Sequence, residues 1–280
     1  MADGAAAVAL ACHYGGAGLA DRLEAALRAA HGARERFTPA ELAGFDQLHT
    51  WGPQGTARLA ELAGIAAEDR VLDLGGGLGG AARQLAAERG CRVTVVELLP
   101  ELCRAAGLLN RLTGQEARVT VVCGDMLEPP VAAHAFDVAW VQHVAMHVAG
   151  PGRLLGAARR ALVPGGRLAL WEVTAGAGGA PHLPAPWGDA AEGQHLAPAE
   201  EWRAAAAAAG FREVSWLDMT EELAARMQAA RAIGRPPSSP VAELVVAGMA
   251  ARQDNHLRSL REGRIGLALA VLEAPSDGAG

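Results

Sequence analysis

Asp73 lies just ahead of a stretch, Gly75 to Gly80, in which five of six positions are glycine, within "VLDLGGGLGG". Such a loop lets a ligand lie against bare backbone, and the amides that open the following helix attract an anion. Gly75, Gly77 and Gly80 meet the GxGxxG spacing, and Glu97 follows about 20 residues on, as a dinucleotide fingerprint asks. Asp73 argues the other way. A carboxylate at the strand tip would face a pyrophosphate at close range, where unscreened like charges repel strongly. It suits a nucleoside that carries an ammonium and no phosphate, with Gly75, Gly77 and Gly79 forming the turn against it.

The neighbouring strand tips extend that chemistry. Glu97, followed by Leu98, has two acceptor oxygens for the two hydroxyls of a ribose. Asp125, in "CGDM", can accept from an adenine amino group while Met126 packs on the ring. "FDVAWVQHVAMH" delivers Gln142 and His143 to the same edge. S-adenosylmethionine, a zwitterionic amino acid joined through a sulfonium to adenosine, meets these demands. The bland alternative, scattered surface acids, fits poorly with three carboxylates that share the strand ends where ligands sit in open α/β sheets.

These residues need a parallel sheet to bring them together. "RVLDLG", "RVTVVEL", "ARVTVVCGD", "AFDVAWVQ" and "RLALWEV" are short apolar runs separated by helical patterns such as "GAARQLAAER" and "GRLLGAARRALV". Strands without alternation, separated by helices, imply a sheet covered on both faces. The expected fold is α/β: a doubly wound, Rossmann-like sheet of seven strands, mostly parallel, with the last strand antiparallel. Residues 1–67 read as a helical N-terminal lid and 68–175 as the cofactor-binding core. Residues 176–262 read as a substrate-cap insert that includes the strand "FREVSWLD", and 263–280 as the final strand and tail. Helical segments are expected at 220–233 and 240–262, broken by "GRPPSSP".

In order and spacing, "VLDLGGGLGG", "VTVVEL", "CGDM", "FDVAWVQ" and "LVPGGRLAL" resemble the successive motifs of class I S-adenosylmethionine-dependent methyltransferases. "HYGGAGLADRLEAAL", "FDQLHTWG", "VQHVAMHV" and "REGRIGLALAVLEAP" extend the likeness over most of the chain. They are similar to the small-molecule branch that includes sarcosine/dimethylglycine N-methyltransferases and related natural-product enzymes. The resemblance implies methyl transfer with S-adenosylhomocysteine as product. The acceptor is expected to be a small amine or a natural-product metabolite. An alternative is C- or O-methylation of an apolar prenyl or aromatic metabolite, favoured by the Pro-, Trp- and Met-bearing insert and the shortage of lysine. Another is a non-methylating protein that binds the cofactor. The second His of "HVAMH" departs from the small polar group expected there.

Other residues have competing bland readings. Tyr14, the chain's only tyrosine, and Gln47 are expected at the methionine end of the cofactor, or else in a loop and a helix cap. His49, Trp51, His147 and Trp187 are expected to line the substrate pocket; an aromatic face such as Trp187 can also hold a cation. His143 and His147, four apart, would share a face of a helix, but no third ligand accompanies them and no metal is expected. His143 and Glu172 are the expected catalytic residues, Glu172 as a carboxylate at a strand end pointing into the cleft. Replacing either is expected to cut turnover and spare cofactor affinity.

The bulk composition limits the remaining possibilities. In 280 residues, 51% hydrophobic and 20% charged with a net charge of −6, a sizeable core is available and a nucleic-acid-binding surface is not expected. Cys12, Cys91, Cys103 and Cys123 show no CxxC spacing, which suits reduced thiols in a cytoplasmic protein. "MADGAAAVALAC" lacks the basic region of a secretion signal, and no stretch approaches the roughly 20 apolar residues of a membrane span. The expected partner is a small molecule; homo-oligomerisation is left open.

Overall fold

The computed structural model describes residues 4–32, 34–234 and 242–276. Seven strands form one sheet: β1 Arg70–Leu74, β2 Arg92–Glu97, β3 Val119–Cys123, β4 Phe136–Gln142, β5 Leu162–Ala175, β6 Arg212–Asp218 and β7 Ile265–Glu273. They lie in the order β3-β2-β1-β4-β5-β7-β6. The first five are parallel, and β7 runs antiparallel between β5 and β6. This is the expected sheet. Strand order reverses direction at β1 and β4, so a crevice opens beyond their carboxyl ends.

The helices in chain order are α1 Gly4–His13, α2 Leu19–His31, α3 Pro39–Asp46, α4 Gly52–Leu62, α5 Gly80–Arg89, α6 Pro100–Thr113, α7 Pro151–Ala161, α8 Ala199–Ala208, α9 Thr220–Ala232, α10 Ala242–Val245 and α11 Met249–Arg261. Around Leu59, Val71, Leu85, Val93 and Trp140, α4 and α5 cover one face of the sheet. Around Leu72, Val141, Leu154 and Trp202, α7 and α8 cover the other. A third apolar layer joins the N-terminal segment to the core. Leu19, Leu23 and Leu27, one helical stripe of α2, pack with Leu42, Leu102, Leu109 and Val245. Each such leucine contributes about 1.5–3 kcal/mol on burial.

Local chemistry sets the boundaries that matter for the crevice. Thr38 and Glu41 form a capping box at the start of α3, with Pro39 in its first turn. Gly79, at φ 74°, turns the chain from the glycine loop into α5. Three expectations on the elements are revised. β5 begins at Leu162, directly after α7, because Leu162 pairs with Phe136 before the Gly165–Gly166 irregularity and the ladder resumes at Arg167. The expected helix over 240–262 is two, because Gly248 adopts a left-handed φ of 70° between α10 and α11. Gly4–His13 adds a helix ahead of those whose pattern marked the expected helical segment 1–67. Most of the "GRPPSSP" break lies outside the described residues.

Candidate active site

Two chambers meet above the carboxyl ends of β1 and β4. The first encloses about 1110 Å³, its mouth included, and is bounded by the glycine loop, the tips of β1, β2 and β4, and the Asp125–Leu127 turn after β3. Tyr14, Gln47, Asp73, Gly75, Gly77, Glu97, Leu98, Asp125, Met126, Gln142 and His143 all line it. Gly79 does not: it shapes the turn, and the wall is made by Gly76 and Gly80 instead. His147, expected in the substrate pocket, also lines this first chamber.

Bare backbone is required where the loop passes its neighbours. A Cβ on Gly75, already at φ 77°, would lie 2.4 Å from Val144 Cγ2. One on Gly76 would lie 2.5 Å from Asp73 Oδ2, and one on Gly80 would lie 2.4 Å from the Asp46 carbonyl oxygen. Asp73 is 2% exposed, and its Oδ2 has no protein partner among the described residues. Burial, with the charge of Glu97 adding to it, pushes its pKa up to about 7. Glu97 bridges two backbone amides: Oε2 accepts from Gly77 at 3.0 Å and Oε1 from Leu99 at 2.9 Å. Burial raises its pKa, and those amides oppose the rise. Asp125 Oδ1 accepts from the Leu127 amide at 2.9 Å. A buried carboxylate lacking a partner, beside glycines that admit no side chain, fits an ammonium-bearing, phosphate-free nucleoside. The residues present therefore suit S-adenosylmethionine.

The second chamber encloses about 1760 Å³, mouth included, between α3, the 47–54 segment, α9, α11 and the 186–187 turn. His49, Trp51 and Trp187 line it as expected. Its wall also holds Met146, Met227, Met249, Arg226 and His256, and no aspartate or glutamate among the described residues. Tyr14, Gln47, Leu48, His49 and His143 line both chambers and so mark their junction.

A directional hydrogen-bond chain fixes the junction. Trp140 Nε1, a donor only, donates to Gln142 Oε1 at 2.8 Å, which leaves the Gln142 amide nitrogen to donate to His49 Nδ1 at 3.0 Å. His49 Nε2 lies 3.0 Å from Gln47 Oε1, and its Nδ1 lies 3.2 Å from the Thr50 carbonyl as well. Gln47 in turn donates to Gln84 Oε1 at 2.7 Å. His143, at φ 52°, donates from Nδ1 to the Trp171 carbonyl at 2.9 Å, and its Nε2 accepts from the Thr50 amide at 3.3 Å. Burial holds His49 at about 3 and His143 at about 4, so both are neutral at ordinary pH. Tyr14 Oη and His147 Nε2 share a hydrogen bond of 3.0 Å; burial lowers His147 to about 4.

Two geometric expectations are corrected. His143 and His147 do not share a helix face; His143 follows β4 in a left-handed turn and His147 ends a short 3-10 turn, Ala145–His147. Glu172 does not end its strand or line either chamber. It pairs with Ala268 in the middle of the sheet and is 2% exposed, with Oε1 accepting from Val144 at 3.0 Å and Ala145 at 3.3 Å. Burial pushes it up to about 8. It braces the turn that presents His143.

The sequence reading missed the bolt between α3 and the core. Arg83, fully buried, donates to Asp46 Oδ2 at 2.7 Å and to Asn110 Oδ1 at 3.0 Å, tying α3 to α5 and α6. It also missed Thr50, whose carbonyl accepts from Trp171 Nε1 at 3.0 Å and whose hydroxyl lies 3.1 Å from His256 Nε2. Among the described residues no cluster could hold a metal ion, and no helix is long and apolar enough to cross a membrane.

Residues 72–170 match the methyltransferase domain family. A glycine/sarcosine/dimethylglycine N-methyltransferase of Actinopolyspora halophila is 34% identical over 121 residues, covering 43% of this chain and 21% of that protein. The first curated relatives are thus matched over less than half of their own length. Among solved structures, a geranyl diphosphate C-methyltransferase from Streptomyces coelicolor A3(2) superposes with a TM-score of 0.68 at 17% identity, over 97% of this chain and 98% of that one. The [4+2]-cyclase SpnF gives 0.62 at 24% identity, over 92% and 93%. In motif order, strand order and the chamber at the switch point, residues 72–170 are thus similar to the methyltransferase domain family, and the chain shares the fold of these solved structures.

Proposed function

We propose that the chain transfers a methyl group from S-adenosylmethionine to a neutral, largely apolar small molecule. The supporting observation is the second chamber: two tryptophans and three methionines in its wall, no acid among the described residues, and a shared boundary with the first chamber at His49 and His143. A cationic amine would lie there with no carboxylate to offset its desolvation. The donor's sulfonium methyl is already strongly electrophilic, so the protein's main contributions are alignment and exclusion of water.

In this reading Asp73 holds the ammonium of the cofactor, Glu97 the ribose hydroxyls, and Asp125 with Met126 the adenine. The Trp140–Gln142–His49–Gln47 chain fixes the floor of the junction. His143 Nε2 has only one long backbone donor, from Thr50. A substrate hydroxyl that displaces that contact meets a neutral imidazole able to take its proton as the new bond forms. Glu172 acts through the 143–145 turn as a positioning residue. A small-molecule enzyme of natural-product metabolism with these features suits the cytoplasm.

A second reading, cofactor binding without methyl transfer, is favoured by one observation: neither His49 nor His143 has an uncommitted nitrogen. The fold is also that of a protein named as a [4+2]-cyclase, a reaction other than methyl transfer. Incubating the protein with methyl-labelled S-adenosylmethionine and cell extract decides the matter. Label in the neutral, organic-soluble fraction is expected. Label confined to cationic, water-soluble products contradicts the apolar acceptor, and no transfer contradicts methylation.

A further inference from the structure

Two residues that line the second chamber, Trp51 and His256, each carry a side-chain nitrogen, Nε1 and Nδ1, that is buried and has no partner among the described residues. Both are buried atoms, and His256 as a whole is 2% exposed. An unpaired buried donor or acceptor costs about 1–3 kcal/mol, so two of them lining one cavity call for an explanation. They come from segments far apart in sequence, the turn into α4 and the middle of α11.

Their surroundings define what could satisfy them. The Trp51 ring lies under the Arg226 guanidinium, 5.2 Å from its centroid, so its place in the wall is fixed. His256 is held by its other nitrogen, 3.1 Å from Thr50 Oγ1, and packs edge-on against Trp187 at 5.7 Å. Trp Nε1 can only donate, so its complement must be an acceptor. His256 Nδ1 either accepts or donates, according to which way the Thr50 hydroxyl points, and a hydroxyl oxygen answers both cases. Burial keeps His256 uncharged, down to about 3, which removes an ion pair as its purpose.

We infer that Trp51 and His256 form an oxygen-recognising station, and that the substrate is a largely apolar molecule bearing a neutral hydroxyl. This rests on the chamber being the acceptor site, as proposed above. It goes further in excluding plain hydrocarbons and in naming two specificity-determining residues. Arg226, the chamber's only charged side chain among the described residues, is engaged by Glu222 at 2.9 Å and stacked on Trp51. It holds the wall together and leaves the oxygen to the indole and the imidazole.

The test uses the full chain saturated with S-adenosylhomocysteine and three matched probes: 2-naphthol, 2-methylnaphthalene and 2-naphthylmethylammonium. Calorimetry is expected to show 2-naphthol binding roughly tenfold tighter than 2-methylnaphthalene, the size of one relieved buried group. In the Trp51→Phe, His256→Leu double variant that preference should fall to parity, with 2-methylnaphthalene affinity and S-adenosylhomocysteine affinity each within about twofold of the parent. Should the double variant lose S-adenosylhomocysteine binding, the single Trp51→Phe variant, which keeps the ring, is expected to halve or better the preference. Equal binding of the two neutral probes by the parent, or a preference that survives both substitutions, overturns the station and leaves the apolar chamber standing. Tighter binding of the cation overturns the apolar reading itself.

Discussion

The two chambers are built differently. The first is assembled at the ends of adjacent strands, from Asp73, Glu97, Asp125 and Gln142, each a few residues from a turn its own sequence encodes. The second is assembled from α3, the 47–54 segment, α9, α11 and the 186–187 turn, elements far apart along the chain. One wall is acidic and hydrogen-bonded to the backbone; the other mixes tryptophans and methionines with glutamines, histidines and Arg226 and, in the described residues, is free of acids. On the proposed function, a cofactor common to many reactions is bound by local strand-end geometry, and an acceptor specific to one by tertiary packing.

The largest effect should come from the bolt that holds one chamber against the other. Asp46→Asn leaves the Arg83 charge buried and unpaired, and its loss should destabilise the fold by about 3–5 kcal/mol in urea titrations. Both chambers should fail together; an unchanged midpoint would show that α3 is held elsewhere. Next, Asp73→Asn should weaken S-adenosylhomocysteine binding by roughly 10- to 100-fold, the range for one hydrogen bond to a charged group. Binding of 2-methylnaphthalene in the other chamber should not move.

A smaller effect follows from pH. Asp73, pushed up to about 7, is protonated in the free protein at lower pH, and a cationic ammonium must expel that proton on binding. S-adenosylhomocysteine affinity should therefore weaken as pH falls below about 7, by up to roughly tenfold per unit, and Asp73→Asn should flatten the profile. A flat profile in the parent would place the ammonium away from Asp73. The smallest effect is expected from Glu172→Gln. Glu172, pushed up to about 8, is largely protonated at neutral pH, and glutamine keeps the oxygen that accepts from Val144 and Ala145. Turnover should stay within about threefold, in contrast to the catalytic base expected from its type and position alone; a collapse of turnover would restore that role.

What could be read from the sequence divides along the same line. The sheet and most of the first chamber were legible because apolar runs, glycines and strand-tip acids lie within a few residues of one another. Glu172 was misplaced because a carboxylate after "LALW" looks like a strand end, whereas β5 continues to Ala175 against β7. His143 and His147 have helical spacing, yet the turn at φ 52° breaks the helix that the spacing suggests. Asp46, Arg83 and Asn110 gave no local signal. An arginine in "GAARQLAAER" reads as a solvated helix face until α3 packs over it. His256 was hidden in the same way, as one polar residue among many in α11.

The decisive measurement is a calorimetric comparison of S-adenosylhomocysteine and NADH on the same protein. If Asp73 beside the bare-backbone turn selects a cationic, phosphate-free nucleoside, S-adenosylhomocysteine binds and NADH gives no heat of binding. Tighter binding of NADH, or stronger S-adenosylhomocysteine binding once Asp73 is neutralised, would contradict it.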